Sequence, residues 1–189
     1  MRKMFCAVLA ALAIMIAAGP SRADDKVDCH RLDLTFPPAD KADWTECYSR
    51  HYTEGGTSGE GAEDMSADIE VLIADIGTHV VHLTSVVAGA NTYFDKVPVS
   101  QKLKNYDELE KVKDVEPEPS FGRYQIVRFQ ALLWNTPTEC FGFVKYRGAS
   151  ITAGGSAYGA RGYVSGYDCW RNGAPDRAQI EVTLDAIND

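Results

Sequence analysis

Four cysteines behind an export leader constrain this chain more than any other feature. Residues 1–23 are composed like a secretory signal peptide: Arg2 and Lys3 precede an apolar stretch over 4–18, Gly19 and Pro20 break it, and Ser21 and Ala23 supply the small side chains a signal peptidase requires. That stretch is shorter than the roughly 20 residues of a membrane-spanning helix. Cleavage after Ala23 is therefore expected, and it removes Cys6 with the leader. Cys29, Cys47, Cys140 and Cys169 remain, an even number in an exported chain, which predicts two disulfides. Three pairings are possible. The local one, Cys29 with Cys47 and Cys140 with Cys169, is preferred because the second couple flanks what read as neighbouring strands. No Cys-x-x-Cys spacing is present, and an oxidised sulfur cannot bind metal, so neither a redox or zinc centre nor any other cofactor is expected.

The 189 residues, 45% hydrophobic and 24% charged, suit a globular protein. The net charge of −8 becomes more negative once Arg2, Lys3 and Arg22 leave. Such a chain lacks the basic footprint that binds a phosphate backbone, so nucleic acid is not an expected partner, and no membrane span should remain after cleavage. Three segments are read: the leader at 1–23, an extended polar arm with an acidic glycine-rich loop at 24–64, and one domain at 65–189.

Within that domain, Ile69, Leu72, Ile73 and Ile76 keep helical spacing yet also suit a buried strand, whereas the β-branched run over 78–88 favours a strand. Leu103, Tyr106, Leu109 and Val112, interleaved with Lys and Glu, predict a short amphipathic helix over 100–112, ended by the prolines of 115–119. Alternation predicts a strand over 124–134; a second over 139–147 puts Cys140, Val144 and Tyr146 on one face, and a third over 161–170 places Tyr163, Tyr167 and Cys169 together. A closing helix is expected over 175–187, with Asp176 near its start. The predicted fold class is α+β: an antiparallel sheet covered on one side by helices and stapled by disulfides.

No catalytic signature emerges, and no catalytic, metal or cofactor-binding residue is assigned. His79 and His82 are three apart, which on a strand sends them to opposite faces, and His30 and His51 stand in no recognised motif. Cys47 and His51 would share a helix face, but Cys47 is expected in a bridge. Gly154, Gly155, Gly159, Gly162 and Gly166 lack the spacing and following helix of a nucleotide loop. Glu54, Glu60, Glu63, Asp64, Asp107, Glu108, Glu110 and Asp114 read as solvated. Aromatics around the second glycine-rich stretch, Tyr158, Tyr163, Tyr167 and Trp170, form the candidate binding surface, because Tyr and Trp offer rigid amphipathic contact area.

The sequence Cys140-Phe-Gly-Phe143, the glycine-rich stretch after it, Gly166-Tyr-Asp-Cys169 and the terminal helix together resemble a group of small exported proteins of alphaproteobacteria. The resemblance covers the C-terminal third and implies a periplasmic or secreted α+β domain with Cys140 bridged to Cys169; it implies no activity. The expected function is non-enzymatic binding of an envelope protein or a small ligand, in the periplasm or outside the cell. A carboxylate-dependent hydrolase of envelope polymers is the alternative, and a secreted inhibitor or host-interaction factor a third. Two carboxylates, or a His and a carboxylate, converging in a pocket would favour catalysis, and a shallow aromatic surface would favour binding.

Overall fold

A computed structural model of the chain describes residues 25–54, 65–89, 92–148 and 159–189. The leader, the first glycine-rich loop, Gly154, Gly155 and Tyr158 lie outside the described residues. The strands are β1 (Asp25–Lys26), β2 (Trp44–Glu54), β3 (Met65–Asp75), β4 (His79–Ala88), β5 (Phe94–Asp95), β6 (Leu109–Phe121), β7 (Tyr124–Leu133), β8 (Thr136–Arg147), β9 (Gly159–Ala160) and β10 (Gly162–Trp170). Two short α-helices, α1 (Val99–Lys102) and α2 (Arg177–Asp185), accompany them.

Eight strands form one antiparallel sheet in the order β1-β2-β3-β4-β10-β8-β7-β6, and β5 pairs separately with β9. Two meanders, β2 to β4 and β6 to β8, are joined by the last strand, which enters between β4 and β8. The expected α+β class is thereby corrected: the fold is mostly antiparallel β, and among the described residues the two α-helices are too short to form a layer over the sheet. The segment that should have supplied a helix, 100–112, instead forms α1, a 3₁₀ turn over Leu103–Asn105 and the start of β6. Its apolar residues recur every three positions, which is the period of a 3₁₀ turn and drifts off the face of an α-helix.

The prolines at 117 and 119 do not end an element but lie inside β6. That strand is at the sheet's edge, where a residue without N–H can sit facing away from the ladder. Register shifts after Glu110, Lys113 and Glu118, and positive φ at Lys111 and Asp114, break the edge into bulges. Bulges, prolines and exposed charge together block pairing with another chain.

β3 is a strand although its spacing also reads as helical, because both of its faces are apolar. Leu72 and Ala74 are buried on one side, while Ile69, Val71 and Ile73 are half-buried on the other. On the first side, Leu32, Leu34 and Phe36 of the N-terminal arm and Ile180 and Leu184 of α2 cover Val81, Leu83, Phe141 and Phe143. The arm is held by Glu70, which accepts the Asp33 and Leu34 amides at 3.0 and 2.8 Å. α2 begins at Asp176 with a capping box to Gln179. Both disulfides form in the preferred pairing, and Cys140 and Cys169 are direct cross-strand partners.

Candidate functional site

The second face of the sheet carries the site. At Gly142 of β8 a Cβ would come within 2.8 Å of the Leu103 side chain, so the missing side chain is what lets Val99 and Leu103 seat on the strand. Both are buried. From this anchor the 102–108 stretch crosses toward β3 and walls off a cavity of about 370 Å³, a volume within the range of small-molecule sites. Ile69, Val71 and Ile73 form an aliphatic strip along one side; His82, Thr84 and Val86 of β4 with Tyr163 and Ser165 of β10 form the floor.

Sheet register sets the polar end. His82 and Tyr167 are cross-strand partners, and Glu108 lies over both. One carboxylate oxygen of Glu108 accepts from His82 Nδ1 at 2.5 Å and from the Tyr167 hydroxyl at 2.7 Å. Burial pushes the Glu108 carboxyl upward, but these hydrogen bonds and the charge of His82 outweigh it, so the group sits below the usual carboxylate range. The His82 ring is buried against Tyr106 and Tyr167, with centroids 4.7 and 5.3 Å away. Tyr106 shares a 3.0 Å hydrogen bond with Ser165, and burial pushes its phenol up to about 12.

Lys102 occupies the other end. Its ammonium lies 3.3 Å from the Tyr163 ring centroid and forms no ion pair among the described residues. Burial lowers its pKa to about 8. The arrangement can hold a partly apolar molecule, place a cation beside it, and exchange a proton at the His82–Glu108 pair.

The structure separates the aromatic residues singled out from sequence. Tyr163 lines the cavity, and Tyr167 is fully buried beneath it, presenting its hydroxyl to Glu108. Trp170 is on the opposite face, stacked on His79 at 4.4 Å. There His79 Nδ1 pairs with buried Asp168 at 2.7 Å, and Thr183 of α2 donates to the same carboxylate at 3.1 Å. Burial holds Asp168 above the usual carboxylate range. His79 and His82 do fall on opposite faces, while His51 pairs with Asp68 at 2.6 Å. Glu108 is not a solvated residue: it is half-buried and hydrogen-bonded. Gly162 and Gly166 stand in β10, and a Cβ at Gly166 would lie 2.1 Å from the His82 carbonyl oxygen, so this glycine permits close approach of β4.

Lys102, His82 and Glu108 were missed as a group because no local spacing links them. The available signal was weak: an aromatic and two acids, Tyr106-Asp107-Glu108, ending a segment that begins on apolar Val99. Among the described residues, no group of three or more His, Cys, Asp or Glu is placed to hold a metal ion, and no helix is long and apolar enough to cross a membrane. No family model, curated protein or solved structure matches the chain.

Proposed function

We propose that this is an exported, non-enzymatic binding protein of the periplasm or extracellular space, and that its ligand is a small, partly apolar molecule held in the cavity between β3 and the 102–108 stretch. The observation that carries this reading is the half-buried strip of Ile69, Val71 and Ile73 facing a cavity with a cation at one end. Two disulfides support residence in an oxidising compartment. The test is displacement of an environment-sensitive dye from the exported protein by a panel of small amphipathic molecules, repeated with V71W, which fills the cavity. Displacement from the native protein and none from V71W supports the reading; equal behaviour of the two overturns it.

Hydrolysis of an envelope polymer is the second reading, and the His82–Glu108 pair at the cavity favours it. Binding is placed first because the Glu108 oxygen that His82 engages is also taken by the Tyr167 hydroxyl, so the pair is already hydrogen-bonded into the wall of the cavity. Loss of polymer turnover in E108Q, with dye displacement retained, would reverse the order.

A further inference from the structure

We infer that the cavity takes an amphipathic monoanion, its carboxylate seated on Lys102 and its aliphatic chain lying along Ile69, Val71 and Ile73. The inference rests on the binding reading above and names the ligand class. A half-buried ammonium with no ion pair among the described residues is an unfavourable arrangement. The Tyr163 ring offsets part of that cost, since a cation over an aromatic face gains on the order of 1 kcal/mol. An anion arriving beside Lys102 would offset the rest.

Sheet register gives the ligand a direction. Tyr163, Val86 and Ile69 are partners across β10, β4 and β3, so the Lys102 end of the cavity shares a row with Ile69. Tyr167, His82 and Ile73 form the row at the far end. Between the rows β3 rises about 13 Å, the length of four strand residues, with an apolar side chain at each second position. Tyr48 of β2 stands beside Val71 and closes the outer wall.

The charge of the head follows from what surrounds it. Lys102 is the one lysine or arginine lining the cavity among the described residues, and Asp107 and Glu108 line it too. Glu108 lies at the far end, over His82 and Tyr167, so a single charge seated at the Lys102 end is matched by the ammonium, whereas a doubly charged head would leave one charge unpaired and double the repulsion from both acids. The flexible point charge of a lysine also lacks the rigid fork that recognises phosphate bidentately.

Binding should then take up a proton above pH 8. The groups facing Lys102 are Asp107, Glu108 and Tyr106 from its own segment, His82 from β4, Tyr163 from β10 and Tyr48 from β2. Glu108 titrates below this window and Tyr106 and Tyr163 above it. In the free protein the Lys102 ammonium, held near a pKa of about 8 by burial, is mostly neutral at pH 9; a bound carboxylate would draw it back toward the usual value of about 10.4.

The experiment is calorimetric titration of the exported, disulfide-intact chain with decanoate, 1-decanol and decyl phosphate at pH 7 and pH 9. Decanoate should bind about tenfold more weakly at pH 9 than at pH 7, because the unbound lysine must first be reprotonated. Decanol should show no such change, and decyl phosphate should bind more weakly than decanoate. K102M, checked for folding by its melting transition, should bind decanoate no better than decanol and lose the pH dependence. Decanoate binding that is indifferent to pH and to K102M overturns the assignment of the head and leaves the binding reading intact, as does tighter binding of the phosphate. Binding of none of the three ligands overturns both.

Discussion

Replacing Cys140 and Cys169 together by Ala tests how the sheet is held at its centre. The bridge spans 29 residues of sequence between β8 and the strand that joins the two meanders. In the chain-entropy description, opening a loop of that size releases about 12 cal/mol/K to the unfolded state, or about 3.6 kcal/mol at 25 °C. Both sulfurs are fully buried among Phe129, Val144 and Tyr167, so truncation also removes packed atoms and adds to the loss. A small domain has roughly 5–15 kcal/mol in all, so the variant should retain a reduced margin or fail to fold at 37 °C. Urea unfolding followed by tryptophan fluorescence measures this directly. With a slope of about 2 kcal/mol/M, the midpoint should fall by roughly 2 M. The comparison is C29A/C47A, whose bridge spans 18 residues and corresponds to about 3.2 kcal/mol. That loss should be partly local, because Cys29 tethers an arm able to lift off the sheet while the β-ladders persist. A midpoint for C140A/C169A within about 0.3 M of the native protein would refute the reasoning, as would a mass showing Cys29, Cys47, Cys140 and Cys169 as free thiols in the native protein.

Titration of the cavity groups carries two further expectations. Glu108 has a folded pKa below its unfolded value of about 4.3, so it contributes stability that is present above that value and is lost as pH falls through the folded one. Urea midpoints should therefore drop more steeply between pH 5 and pH 3 for the native protein than for E108Q, and parallel curves would contradict this. Lys102 is also lowered, to about 8, which for a base disfavours the charged form, so its buried charge costs stability below pH 8 and that cost fades as pH rises toward about 10.4. K102M should raise the melting temperature at pH 7 and lose that advantage by pH 10; a constant difference would rule out the buried charge as its cause. D168A strands His79 and Thr183 in the core and should cost about 3 kcal/mol, read from the urea midpoint; less than 1 kcal/mol would show the pair to be dispensable. G166A drives a methyl into the His82 carbonyl and should cost at least 1–3 kcal/mol, whereas G142A meets only side-chain atoms of Leu103 and Val99, which can shift, and should act mainly on ligand affinity. Equal stability losses would contradict that distinction.

Much of the C-terminal half was legible. β7 alternates apolar and polar residues because a strand sends successive side chains to opposite faces, β8 and β10 were read from residues that share a face, and Asp176 marks the start of α2. The Cys140–Cys169 bridge followed once two neighbouring strands were recognised. β3 stayed ambiguous because apolar residues on both faces erase the alternation, and 100–112 misled because charged residues at a sheet edge imitate the solvent face of a helix. The charge on β6 faces water whichever structure it adopts.

Local pattern thus determined the late strands and the closing helix, and an even set of cysteines the bridges, since each depends on residues close in sequence or on the redox chemistry of sulfur. The cavity was decided only in three dimensions. His82 meets Glu108 across 26 positions and Tyr167 across the β4–β10 ladder, and Lys102 reaches Tyr163 only because Gly142 leaves room for the segment that carries it. A side chain's partner across a sheet is set by strand order and register, and these arise from the burial of both faces together, a property of the whole chain that no short window contains.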